Sequence, residues 1–302
     1  MVFRSIFQNW LRNTAREKMR RKVFDAARAE MSRQMGDSKE GETEEAARLE
    51  CDVGVVFALG IEAGGFRELL EDEFSIRGHG FVARFGELKG RHVVVIQSGA
   101  GQEAAARATD ALITAHRPPW VISAGFAGGL CPEAKRHDVV MANSVTDTHG
   151  NRLGIDLKVD PASLAQIQGV HLGQLLTVDR IIRLPDEKRE LGAKYRAMAV
   201  DMESFAVAEV CRRQHVRFLA VRIINDSVEE ALPADVERML DQKTRAARIG
   251  AAAGALWKRP GSIKDMFKLK ENALVASDRL AKFLVSTIDQ LPPQALSLKS
   301  SN

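Results

Sequence analysis

The 302-residue chain has only three cysteines, Cys51, Cys131 and Cys211, with no CxxC pair and no Cys/His cluster. An odd number at wide spacing argues against a disulfide framework and a zinc site, and fits a reducing compartment. No apolar run reaches the roughly 18 residues of a membrane span. The first residues lack an apolar stretch followed by a small-residue cleavage site, so no signal peptide is expected. The Gly-rich "AGFAGGL" is not a G-x-G-x-x-G fingerprint, and no Lys or Ser/Thr follows it as in a phosphate loop. A cytoplasmic globular protein that needs neither metal nor cofactor is the expectation.

What is present is ordinary globular composition, 45% hydrophobic and 28% charged, enough for one large domain with appendages. The net charge of +4 is unevenly spread: residues 1–22 carry seven Lys/Arg against one Glu, and residues 37–52 are mostly acidic. A nucleic-acid enzyme would show a basic face on the domain itself, so no nucleic-acid partner is expected. In "MVFRSIFQNWLRNTAREKMRRK", Phe3, Ile6, Phe7, Trp10 and Leu11 fall at helical spacing. Residues 1–35 therefore read as a basic amphipathic helical extension. It either packs on the body or a partner subunit, or makes a peripheral membrane contact through residues 1–22. Residues 36–51 read as an acidic linker.

The organised part spans 52–240. "DVGVVFAL" predicts a buried strand, and "GIEAGGFRELLEDEF" a loop and helix. Phe81–Phe85 and His92–Gln97 read as a hairpin around a Gly-Glu-Leu-Lys-Gly turn. "QEAAARATDALITAH" predicts a helix, and "PWVISAGFAGGL" a strand running into a Gly-rich loop. "HDVVMANSV" and "QLLTVDRII" predict strands, "MESFAVAEVCRRQ" a helix and "RFLAVRIIND" a last strand. This alternation predicts an α/β three-layer sandwich with a largely parallel sheet. Residues 241–302 are expected to add C-terminal helices, interrupted at "KRPGS", and a tail.

Ligands of such sheets sit outside the carboxyl ends of the strands, where the candidate residues gather. Glu62, after the first strand, is either a solvated loop acid or part of a site. Asp226, ending an apolar strand, either caps the next segment or points into a site, where burial can raise its pKa for acid catalysis. Glu203 is either a first-turn helix acid or a carboxylate accepting two hydrogen bonds from the vicinal hydroxyls of a sugar. Met202 beside it offers a soft apolar face to a ribose.

"GVVFALGIEA", "SGAG", "SAGFAGGL", "HDVVMAN", "AVDMESFAVAEV" and "FLAVRIINDSVEEALP" come in the order found in the nucleoside phosphorylase superfamily. The chain from Asp52 to about Glu230 resembles 5′-methylthioadenosine/S-adenosylhomocysteine nucleosidases and the related hopanoid-associated phosphorylases. The resemblance implies a phosphorylase/hydrolase-like mixed sheet. It implies Glu62 as the acid orienting the attacking water and Asp226 as the acid protonating purine N7. Glu203 would bind the ribose, Met202 would pack on it, and Gly128 and Ile182 would make backbone contacts to the nucleoside. Asp201 would be a structural companion. The implied partner is a purine nucleoside, in a homo-oligomer with a homodimer as default. The implied reaction is cleavage of the N-glycosidic bond of a 5′-substituted adenosine.

The chain departs from the nucleosidase pattern at three places. Ile181 stands where those enzymes stack a phenylalanine on adenine, Phe126 stands where they carry a serine, and the segment from Asn143 to Gln174 is shorter. "VDMES" and "ALP" resemble the hopanoid-associated group, which is thought to act on adenosylhopane. Hexameric phosphorylases hold phosphate with an arginine where this chain has Ser123, so water is favoured as nucleophile over phosphate. Arg67, Arg84 or a neighbouring subunit remain as alternative phosphate partners, and a non-catalytic nucleoside binder is the alternative outside catalysis.

Overall fold

The computed structural model describes residues 51–78, 80–156, 166–233 and 263–292. The N-terminal extension, the linker to residue 50 and the "KRPGS" break lie outside them. The opening apolar run is strand β1 (Val53–Phe57), with every residue buried. Helix α1 (Gly60–Arg67) follows. The sequence pattern predicts loop and helix through "ELLEDEF"; instead Glu71–Gly78 forms strand β2. It pairs antiparallel with β3 (Phe81–Leu88), and Phe74 stacks on Phe85 with ring centroids 4.9 Å apart. Cross-strand packing of this kind overrides a weak local preference. β4 (Arg91–Gln97) completes the meander after a two-residue turn, Lys89 and Gly90, both at positive φ. That is the hairpin connection whose twist matches the strands it joins.

The chain continues through α2 (Gln102–His116), β5 (Trp120–Gly129), β6 (Val139–Thr146), β7 (Arg152–Gly154) and β8 (Val170–Thr177). It then forms α3 (Pro185–Tyr195), β9 (Ala199–Asp201), α4 (Ser204–Arg213), β10 (Arg217–Asp226) and α5 (Ile263–Gln290). In the sheet β2, β3, β4, β1 and β5 lie side by side. β5 pairs on with both β10 (parallel) and β9 (antiparallel). β10 pairs with β6, β6 with β8 and β8 with β9, so five strands close into a ring. The expected mixed α/β sheet is present, but it is not largely parallel: the β2–β3–β4 meander, β6 against β10 and β9 against β5 are antiparallel.

Helices cover both faces of the central strands. On one face Val53, Val55 and Phe57 pack with Ala63 and Phe66 of α1 and with Ala276, Leu280, Leu284 and Ile288 of α5. On the other, α2 rests on Gly54, where an added Cβ would lie 2.5 Å from Leu112 Cδ2. The buried positions of α2, Ala105, Ala108, Thr109, Leu112 and Ile113, recur at three- and four-residue intervals. The second glycine of "EAGGF" has a packing cause. A Cβ on Gly65 would lie 2.8 Å from Asp278 Oδ1 and 3.0 Å from the backbone of α5. Ser277 Oγ of α5 accepts from Gly65 N–H (2.9 Å) and donates to the Glu62 carbonyl (3.2 Å). The C-terminal helix thus holds the helix that carries Glu62.

Candidate active site

Strand β5 forms the floor of the site. The sequence predicts a Gly-rich loop at Gly125–Gly129, with a tight turn at positive φ as the plain reading of its glycines. Instead these residues belong to the strand, and none of its glycines is at positive φ. The glycines admit side chains from neighbouring elements. A Cβ on Gly125 would lie 2.9 Å from Glu62 Oε1, and one on Gly128 would lie 3.2 Å from Asp226 Oδ2. Three strand residues, about 10 Å, separate the two positions over which these acids sit.

Glu62 is buried at the third position of α1, not solvated. Its Oε2 accepts from Leu59 N–H (2.7 Å), one half of a capping box, and its Oε1 accepts from Phe126 N–H (2.9 Å). Burial pushes its carboxyl above the usual range, against the pull of these N–H groups and of the Arg222 charge.

Glu203 precedes α4 at the cap position. It makes no cap bond; its Oε1 accepts from Gly101 N–H at 2.8 Å, in the loop ahead of α2. Burial first, then the charges of Asp201 and Glu62, raise its pKa to about 8. Met202 and Ile182 pack in one apolar cluster with Leu176, Val178 and Val200. Val200 in turn faces Gly128.

Asp226 ends β10 and is buried. Burial raises its pKa, and Lys188 opposes the rise. Lys188 Nζ donates to Asp226 Oδ2 at 2.5 Å. No sequence signal pointed to Lys188. Its helix, α3, starts with Pro185, Asp186 and Glu187, a recognisable helix opening. Lys188 is the buried residue of that helix, so α3 shows no apolar stripe to reveal it.

Asp201, expected as a structural companion, makes only contacts of that kind among the described residues. It is buried, and its Oδ2 accepts from Arg222 Nε at 2.7 Å. Its Oδ1 accepts from Thr177 Oγ1 (2.7 Å), and Ser204 N–H approaches both oxygens. Arg222 also donates to Ser123 Oγ (2.8 Å) and to its neighbour's carbonyl. Among the described residues no group of three or more His, Cys, Asp or Glu is arranged to hold a metal ion, and no helix is long and apolar enough to cross a membrane.

The model of the Phosphorylase superfamily matches residues 52–258. A 5′-methylthioadenosine/S-adenosylhomocysteine nucleosidase of Haemophilus influenzae is 30% identical over 210 residues, covering 60% of this chain and 92% of the relative. One of Tolumonas auensis is 29% identical over 63% of this chain and 92% of its own length. Among solved structures, that nucleosidase from Helicobacter pylori with butyl-thio-DADMe-Immucillin-A superposes with a TM-score of 0.62 at 19% identity, over 81% of this chain and 100% of that one. A futalosine hydrolase mutant of the same organism gives 0.61 at 20% identity, over 80% and 100%. At these identities the structural likeness is one of fold. The family model covers most of the chain and the Haemophilus relative is matched over nearly its whole length, so the chain belongs to the phosphorylase superfamily.

Proposed function

We propose that this protein hydrolyses the N-glycosidic bond of a 5′-substituted adenosine and releases adenine. The observation that carries the reading is the set of three carboxyls, Glu62 and Asp226 buried and Glu203 half-buried, gathered around the in-strand glycines of β5 and the Gly101 loop. The kinship with nucleosidases supports it.

Each group suits a separate task. A purine leaves poorly as an anion and well once protonated at N7. Asp226, whose pKa burial pushes up against the pull of Lys188, is placed to supply that proton. Glu203 accepts hydrogen bonds from the ribose hydroxyls, and Met202 packs on the sugar. Gly128 and Ile182 offer backbone contacts to the nucleoside. As the bond breaks, positive charge develops on the ribose, and nearby carboxylates stabilise it more than they stabilise the ground state. Glu62 orients the water that captures the cation.

Water rather than phosphate is supported by the charges. Glu62, Glu203 and Asp201 lie close enough to interact, against the single guanidinium of Arg222. Arg222 is already paired with Asp201 at 2.7 Å, so its charge is not free to hold a phosphate dianion. Arg67 is paired with Glu73 (2.7 Å), and Arg84 lies 3.6 Å from the same carboxylate.

The test is to incubate the protein with methylthioadenosine, adenosylhomocysteine and a bulky 5′-alkyl adenosine, with and without phosphate. Adenine and a free 5-substituted ribose are expected in both conditions. A sugar 1-phosphate establishes phosphorolysis instead. Binding without adenine release from any of the three makes the chain a nucleoside-binding protein.

A further inference from the structure

Lys188 is a fully buried lysine, 0% exposed, on a helix that otherwise presents polar residues to solvent. Its ammonium has three N–H donors, and three acceptors surround it. They are Asp226 Oδ2 at 2.5 Å, the Glu230 carbonyl at 2.7 Å and the Ser227 carbonyl at 2.9 Å. Burying a cation is costly unless it is paired and hydrogen-bonded throughout. Two of the three acceptors are main-chain carbonyls, which cannot titrate. The ammonium therefore stays anchored whether Asp226 is neutral or ionised.

We propose that Lys188 is the positioning residue for Asp226: it grips Oδ2, directs Oδ1 to the leaving base and stabilises the carboxylate left when the proton has gone. The proposal rests on the reading of Asp226 as the acid that protonates the purine. In the step, the C1′–N9 bond breaks and its electron pair moves into the purine. N7 takes the proton from Oδ1, and Asp226 becomes a carboxylate beside the ammonium. Water forms the new bond to C1′ and gives a proton to Glu62. Solvent then returns a proton to Asp226 and removes one from Glu62, so atoms and charges balance. The two carbonyl bonds tie residues 227 and 230 to α3, and Leu232 N–H donates to the Arg183 carbonyl (3.0 Å) just ahead of that helix. The carboxyl is thus fixed from the chain that follows it as well as from across the site.

The experiment compares two leaving groups in wild type, Lys188→Met and Asp226→Asn. One substrate is a 5′-substituted adenosine. The other carries the same 5′ group on a p-nitrophenyl riboside, whose leaving group departs without a proton. Lys188→Met is expected to lose about 10²-fold in kcat on the adenosine, the lower end of a general acid's contribution, and less than about threefold on the nitrophenyl riboside. The alkaline limb of its kcat/KM profile on the adenosine should move to higher pH, because a cation that favours ionised Asp226 is gone. The other charged groups acting on Asp226 are Glu230 and Arg136, which pair with each other at 2.8 Å and are untouched by the substitution.

Equal losses on both substrates with an unmoved limb overturn the proposal and leave Lys188 as a fastener of the 227–230 segment. If Asp226→Asn keeps adenine release, the underlying reading fails instead. Lys188→Arg covers the case in which the methionine variant does not fold. With the charge retained, it should keep adenosine turnover within about tenfold and the limb in place. A folded arginine variant that loses about 10³-fold on both substrates, beyond a role confined to the acid, also overturns the proposal.

Discussion

Arg222 Nε donates to Asp201 Oδ2 at 2.7 Å, and both side chains are buried beneath the candidate site. The acid that opens "DMES" therefore holds a strand, whereas the acid that follows it, Glu203, reaches the Gly101 loop. Removing one partner of such a pair strands the other charge, at a cost of about 3–5 kcal/mol. Asp201→Ala should show a loss of that size in urea unfolding, and Glu203→Ala a clearly smaller one. A stable Asp201→Ala protein with selectively weakened nucleoside binding would instead make Asp201 a ligand group.

Gly125 predicts an effect on activity without one on fold. A methyl group there would lie 2.9 Å from Glu62 Oε1, so the carboxylate must move. Displacing a positioned group by about 1 Å can cost about 10²-fold in rate. Gly125→Ala should therefore lose activity on that scale while keeping wild-type circular dichroism. Wild-type turnover in a folded variant would separate Glu62 from the chemistry.

Gly65 predicts the converse. Its substitution by Ala drives a methyl into Asp278 and the α5 backbone. Overpacking of this kind costs about 1–3 kcal/mol. The melting temperature of Gly65→Ala should fall accordingly, and an unchanged value would show that α5 does not clamp α1.

The sequence made β1, α2, β5, α4 and β10 legible because each buries a regular apolar pattern. It hid β2, whose pairing depends on a cross-strand partner, and β9, which has only three residues. Glu62, Glu203 and Asp226 were legible as acids at the ends of apolar runs. Lys188 and Arg222 were not, because a charged residue inside a helix or strand normally marks a solvated face. Each turns inward to a buried acid that is distant in sequence, Arg222 to Asp201 and Lys188 to Asp226. The glycines of β5 were visible, but their cause was not: Glu62 of α1 lies over Gly125, Asp226 of β10 over Gly128, and the Ala134 carbonyl over Gly129.

Residues 1–22 carry a net charge of +6, from seven basic residues and Glu17, beside Phe3, Phe7 and Trp10. Each basic residue near an anionic surface adds about 1 kcal/mol. The full-length protein should sediment with anionic vesicles at low salt and dissociate at high salt, and deletion of residues 1–45 should abolish this. Absence of sedimentation in the full-length protein at low salt removes the membrane reading and leaves subunit packing.

Glu203 sets a pH dependence of stability. Its carboxyl, ordinarily near 4.5 as in the unfolded chain, is raised to about 8 in the fold by burial and by Asp201 and Glu62. Between these values the folded protein keeps a proton that the unfolded chain has released. Stability from this group is therefore complete below about pH 4.5 and declines as pH rises through about 8. Glu62 and Asp226, also raised by burial, tilt the curve in the same direction. Glutamine fills the same space without ionising, so Glu203→Gln should flatten the fall in melting temperature between pH 5 and pH 9. The same variant should weaken an adenine nucleoside with intact ribose hydroxyls more than its deoxy analogue, since a hydrogen bond contributes about 0.5–1.5 kcal/mol. A wild-type slope retained in Glu203→Gln would move the titrating group to Glu62 or Asp226, and equal binding losses for both nucleosides would confine Glu203 to holding the Gly101 loop.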